Sequence, residues 1–173
     1  MFTTLYLPNF YLQAALRHQT ELATRPVALI DDEEAKAVIL QLNAAAEKAG
    51  VRSGMTPSQG LARSLQLQIK MRARAQEKLL DASLLHFAGT LAPYVEATAP
   101  GVCTVQFTDA KKILRQVERV LTQLHAASLH VQAGIAPNPD ASLLAAHLAR
   151  PLLQIEDPKD FLAPLPIETL AID

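Results

Sequence analysis

Two helical periodicities bracketing a pair of short strands constrain this chain more than any other feature. Between Ala75 and Ala92, Leu79, Leu80, Leu84, Phe87, Ala88 and Leu91 recur at helical spacing and form one apolar stripe. Between Ala110 and Ala126, Ile113, Leu114, Val117, Val120, Leu121 and Leu124 do the same. The stretch between them reads as strands over Tyr94 to Ala97 and Val102 to Thr108, joined through Pro100-Gly101. Phe2 to Leu7 reads as an earlier strand, and Leu129 to Ala136 as a later one. The order is β-α-β-β-α-β, which predicts an α+β chain built on a ferredoxin-like sheet.

Residues 9 to 74 are left over and read as a small α/β subdomain inserted after the first strand. Pro8-Asn9 ends that strand, because proline cannot donate to a ladder. Phe10 to Arg17 reads as a helix with Asn9 as N-cap. Val27 to Ile30 and Ala37 to Leu40 read as a hairpin around Asp31-Asp32-Glu33-Glu34, and these consecutive acids fit a solvated turn better than a metal site. Ala44 to Ala49 is a short helix with Gly50 at its C′ position. Thr56, Pro57 and Gln59 spell a capping box with proline at N1, so a helix should run to about Arg63. Residues 67 to 71 look extended. Late in the chain, Asp140 to Arg150 reads as a helix and Leu152 to Ile155 as a strand.

Half of the 173 residues are apolar and 19% are charged, enough for a packed core. A net charge of -1 argues against a freestanding nucleic-acid binder, though a local basic face stays open. The single cysteine, Cys103, rules out an internal disulfide and reads as a small core residue on an apolar strand. The start MFTTLYLPNF has neither the basic nor the long apolar region of a signal peptide. No run reaches the roughly 18 apolar residues of a membrane span, so a cytoplasmic chain without membrane contact is expected. His18, His86, His125, His130 and His147 show no metal-ligand spacing.

The segment AAAEKAGVRSGMTPSQGLARSLQLQIK, residues 44 to 70, together with LYLPNF, RPVALID, EATAPGVCT and GIAPNPDASLLAAHLAR, resembles the Y-family translesion DNA polymerases of the UmuC/DinB type. The resemblance covers nearly the whole chain and is strongest toward the ImuB-like branch. It implies a palm over residues 1 to 9 and 73 to 163, fingers over 10 to 72, and the start of a thumb or a tail over 164 to 173.

Nucleotidyl transfer uses two divalent metals about 3.5 to 4 Å apart, and magnesium takes hard oxygen ligands. Active Y-family members place an Asp on the first strand and an Asp-Glu pair at the central hairpin. By the resemblance these positions fall on Tyr6 and on Gly101 with Val102; a one-residue slide gives Pro100 and Gly101. A second first-strand acid position falls on Pro8. Glu96 and Asp109 are the nearest acids along the hairpin, and at about 3.3 Å per residue they stand about 16 Å or more away. Asp109 reads as the N-cap of the helix from Ala110. The family's phosphate-holding Tyr and Arg fall on Ala44 and Glu47, and a carboxylate repels a triphosphate. The palm lysine is missing from NPDASLLAAH. Tyr11 falls on the steric-gate position and reads as a core aromatic beside Phe10. No nucleotide, metal or cofactor is therefore expected to bind.

Lys70, Arg72, Arg74 and Lys78 cluster near the expected fingers-palm junction as candidate DNA contacts; a solvated face is the plainer reading. Family resemblance implies an adaptor in damage-induced mutagenesis, with a RecA-like adaptor, a sliding clamp and an error-prone polymerase as partners. Gln13 to Leu16 lacks the aromatic ending of a clamp-binding peptide. Two alternatives remain: an active error-prone nucleotidyltransferase with displaced metal ligands, and an unrelated ferredoxin-like regulatory or ligand-binding domain.

Overall fold

The computed structural model describes residues 1–22, 24–31, 37–108 and 112–170. The chain divides into two compact units, Met1–Pro8 with Asp81–Asp173, and Asn9–Leu80. The first unit begins with β1 (Phe2–Tyr6). The second boundary falls between Leu80 and Asp81, inside one helix, Arg74–Gly89.

The second unit contains α1 (Phe10–Leu16), β2 (Val27–Ile30), β3 (Ile39–Leu42), α2 (Ala44–Lys48), α3 (Pro57–Arg63), β4 (Gln68–Met71) and the first turns of α4 (Arg74–Gly89). Its three strands are ordered β3-β2-β4, with β3 antiparallel and β4 parallel to β2. All four residues of β2 are buried, so the strand serves two cores. Ala28 and Ile30 pack with Ile39, Leu42, Val51 and Leu67; Val27 and Leu29 pack with Leu12 and Leu22. The expected capping box forms: Thr56 Oγ1 accepts from the Gln59 amide at 3.3 Å, and Gln59 Oε1 accepts from the Thr56 amide at 2.9 Å. Asn43 caps α2, and its Oδ1 also accepts from the Val27 amide at 3.1 Å, tying helix to strand. Asn9 sits at the N-cap position of α1 but in the left-handed region (φ 52°), and its side chain caps nothing. Asparagine tolerates that backbone better than most residues.

The rest of the first unit comprises the remainder of α4 from Asp81, β5 (Tyr94–Ala99), β6 (Val102–Gln106), α5 (Ile113–Ala126), β7 (Gln132–Ala136), α6 (Pro139–Leu148), β8 (Leu152–Gln154), α7 (Pro158–Leu162) and a 3₁₀ turn (Ile167–Leu170). Its five strands are ordered β5-β6-β1-β7-β8. Each of the first four is antiparallel to its neighbours among them, as a ferredoxin-like sheet requires, and β8 adds in parallel to β7. In register, Tyr6 lies between Val102 and Gln132, and Thr4 between Thr104 and Gly134.

Several element ends differ from expectation for local reasons. α4 stops at Gly89 rather than Ala92. Pro93 disfavours helix in the residue before it, and the Thr90 and Leu91 amides tighten onto Phe87 and Ala88 carbonyls at 3.1 and 2.9 Å. The buried stripe of α4 is Leu80, Leu84 and Ala88, whereas Leu79 is 60% exposed. α5 runs from Ile113, behind Lys112 at φ 71°, and Leu114 points outward; its expected start at Ala110 lies outside the described residues. Asp109, the expected cap, lies outside the described residues. β7 starts at Gln132 rather than Leu129. Ser128 adopts φ 59° and the Leu129 amide bonds the Leu124 carbonyl at 2.9 Å, so these residues close α5 with a left-handed turn. Among the described residues, no helix is long and apolar enough to cross a membrane.

Candidate functional site at the end of the central strand

The end of β1 and the β5–β6 turn bring together the positions where the resemblance expects metal ligands. Pro100 and Gly101 form the turn, and Val102 is the first residue of β6, opposite Tyr6. Gly101 has φ 73°, a backbone that glycine adopts without strain. Its carbonyl accepts the Leu7 amide at 2.8 Å, and its own amide donates to Asp81 Oδ1 at 2.9 Å. Asp81 is the residue that reading the sequence missed. It lies on α4, twenty positions before the turn, and no local pattern shows that this helical turn passes the hairpin tip.

Tyr6 stacks on His147 of α6, with ring centroids 4.0 Å apart and planes 24° apart. Burial raises the Tyr6 phenol and lowers the His147 imidazole, so both rings are neutral near pH 7. An unfolded His147 regains its ordinary pKa of about 6.5 and binds a proton that the folded one refuses. Its contribution to stability is therefore complete above about pH 6.5 and is lost as pH falls through that value toward the lowered folded pKa. Urea unfolding of the wild type and of His147→Phe should differ in slope between pH 7 and pH 5, the variant losing less. Equal slopes would show that His147 is not held neutral.

The face of the sheet carrying Thr4 is unusually polar. Thr4 Oγ1 lies 3.2 Å from Thr104 Oγ1 and 2.7 Å from Ser142 Oγ, and Thr98 Oγ1 lies 3.0 Å from Thr104 Oγ1. Ser142 donates onward to the Pro139 carbonyl at 2.7 Å. Glu96 stands opposite Thr104 on β5 and is exposed. Cys103 is a buried core residue, and burial pushes its thiol up to about 12, far from a thiolate at neutral pH.

A pair of magnesium ions does not fit the residues at this strand end. A phenol that burial keeps protonated, a glycine, a valine and two prolines offer no carboxylate, and Asp81 is turned onto the Gly101 amide. Among the described residues, no three His, Cys, Asp or Glu side chains converge as metal ligands.

In the second unit the Arg72 guanidinium lies 3.9 Å over the Tyr11 ring. It also donates to Glu77 twice, Nε to Oε1 at 2.9 Å and Nη2 to Oε2 at 2.6 Å, while Asp31 stands 3.5 Å from Nη1. The Glu77 hydrogen bond raises the pKa of Arg72 further. Phe10 meets the Tyr11 ring edge-on at 5.3 Å, and Tyr11, partly buried, packs against the Leu12–Leu22–Val27–Leu29 cluster. The four basic residues, the candidate DNA contacts, differ in their surroundings. Arg72 is turned inward, Lys70 donates to Gln19 at 2.8 Å, and Arg74 pairs with Asp31 at 2.8 Å. Lys78 is exposed. Ala44 and Glu47 are exposed on α2; the Arg52 guanidinium donates to the Glu47 backbone carbonyl at 2.7 Å, and the Glu47 carboxylate is in none of the described ion pairs.

A ferredoxin-like sheet, with a three-stranded α/β unit inserted in sequence after its first strand, is the palm-and-fingers fold of the Y-family DNA polymerase class. The chain belongs to the impB/mucB/samB family, whose model matches residues 5–147. DNA polymerase IV of Legionella pneumophila strain Philadelphia 1 is 29% identical over 175 residues, spanning 93% of this chain and 48% of that protein. DNA polymerase IV of Pseudomonas syringae pv. tomato is 28% identical over 176 residues, with the same coverage of 93% and 48%. The chain thus spans about half the length of the curated relatives it matches. Among solved structures, DinB from Sulfolobus solfataricus superposes with a TM-score of 0.86 at 16% identity, over 98% of this chain and 53% of that one. The post-insertion binary complex of Dbh DNA polymerase gives a TM-score of 0.86 at 16% identity, over 97% and 52%. Family membership removes the reading of an unrelated ferredoxin-like regulatory domain.

Proposed function

We propose that this chain is the palm-and-fingers part of a non-catalytic, ImuB-like Y-family homologue that acts as an adaptor in damage-induced translesion synthesis. The observation that carries the reading is the strand end itself. Tyr6 with its ring stacked on His147, Pro100, Gly101 and Val102 offer no carboxylate at the positions that the resemblance assigns to the metal ligands. The exposed Ala44 and Glu47 support it, since neither can hold a triphosphate by a guanidinium clamp. Its partners would be those of a mutagenesis complex: a RecA-like adaptor, a sliding clamp and an error-prone polymerase. Any DNA contact by Lys70, Arg72, Arg74 and Lys78 is weak, because Arg72 is committed inside its own unit and the exposed charge falls to Arg74 and Lys78.

Two measurements test the reading. Primer extension by the protein should give no templated product with Mg²⁺ or with Mn²⁺, and any such product favours the alternative, an active polymerase with displaced ligands. Manganese titration followed by electron paramagnetic resonance should show no stoichiometric site; one tight site abolished by Asp81→Asn would overturn the proposal from the metal side.

A further inference from the structure

We propose that the free edge of β5 and an adjoining cavity lined in part by Asp81 form a docking site for an extended polypeptide segment that inserts a lysine or arginine side chain. The site shares Asp81 with the strand end, where that carboxylate accepts the Gly101 amide.

β5 is an outer strand of the five-stranded sheet, and every residue in it except Val95 is exposed. An outer strand leaves alternate amides and carbonyls without a ladder partner on its open side, and another strand is their natural complement. Pro93 and Pro100 bracket the stretch, so pairing is confined to the six residues Tyr94–Ala99. Exposed Tyr94, at 60%, adds an apolar contact at one end.

Beside this edge lies a cavity of about 280 Å³. Leu84 and Leu85 of α4, Ala97 and Ala99 of β5, and Pro100 and Val102 make its apolar wall, and Asp81 is its one charged group. That volume lies just under the range of about 300–1,000 Å³ that drug-sized ligands occupy, and it leaves room for one long side chain. Asp81 Oδ1 accepts the Gly101 amide, and among the described residues no cation pairs with the carboxylate. A lysine or arginine buries its methylene stem along such a wall and carries its charge to the acid.

The surrounding sequence matches this charge preference. Residues 79 to 108 contain no lysine or arginine, and their carboxylates are Asp81 and Glu96. A basic segment therefore meets no like charge from this stretch, and an acidic one meets two. The combination is the usual logic of strand addition, in which backbone bonds give affinity and a side-chain pocket gives selectivity.

The test is a display library of extended nonapeptides, randomised at the central position and panned against the intact chain. Lysine and arginine should be enriched there, between β-branched neighbours. A synthetic peptide of that consensus should shift amide resonances of Tyr94–Ala99, and its affinity should fall about 10- to 100-fold for Asp81→Asn, the loss expected for a charged hydrogen bond. Asparagine keeps an oxygen for the Gly101 amide, so the turn is retained. Absence of enrichment, enrichment of another residue type, equal binding to Asp81→Asn, or shifts mapping elsewhere would each overturn the assignment.

Discussion

Gly134→Ala should unfold the first unit or destabilise it by about 3 kcal/mol or more, at the upper end of what overpacking costs. Gly134 lies in β7, between Thr4 of β1 and Leu153 of β8. A Cβ there would overlap the backbone oxygen of Ser142 and the backbone nitrogen of Ala146, and would stand 2.8 Å from the Ala145 carbonyl carbon. These are main-chain atoms of α6, which cannot rotate aside as a side chain can. The helix would have to lift from the sheet. That would strip the cover from Ala136, Ala141, Ala145 and Ile155, which form one buried cluster, and stretch the 2.7 Å Thr4–Ser142 contact. Gly89→Ala is the control: nothing lies within 4 Å of a Cβ there, so its effect should be small or stabilising by about 0.5–1 kcal/mol. Urea denaturation followed by circular dichroism measures both, and a Gly134→Ala chain as stable as the wild type would show that α6 does not seat on the Gly134 backbone.

That contact was out of reach of the sequence, whereas the ladder around it was not. The strand-helix order follows from short-range patterns, and those patterns survive folding: apolar residues every three or four positions, a capping box at Thr56, proline and glycine at the hairpin. Element ends depended on single backbone conformations that no pattern announces, as at Lys112 and Ser128. The candidate site divided in the same way. Tyr6, Gly101 and Val102 could be placed because they sit at a strand end and a turn. Asp81 and His147 could not, because each reaches the strand end from a helix whose rotation is set by packing. Arg72 was hard to place for a related reason. A run of basic residues looks solvated until a buried carboxylate five positions on is seen to claim one of them.

Glu77→Ala should destabilise the second unit by about 3 kcal/mol, within the range found when one partner of a buried ion pair is removed. The Arg72 and Glu77 side chains are only 15% and 10% exposed, and two short hydrogen bonds join them. Deleting the carboxylate leaves a guanidinium on the Tyr11 ring, with Asp31 3.5 Å away as its remaining counter-charge. Arg74→Ala should cost at most about 1 kcal/mol and should respond to salt, because Arg74 and Asp31 are 67% and 49% exposed. Replacing both buried partners, with Arg72→Met and Glu77→Leu, should recover most of the loss, since the penalty lies in stranding a charge rather than in lacking a pair. A thermodynamic cycle across the two sites, read by chemical denaturation, should therefore give a coupling well above about 1 kcal/mol. A coupling near zero would free the guanidinium from its partner and return Arg72 to the exposed basic group, available to a phosphate. The size of this coupling thus decides a functional question, because it sets how much positive charge the second unit can offer to DNA.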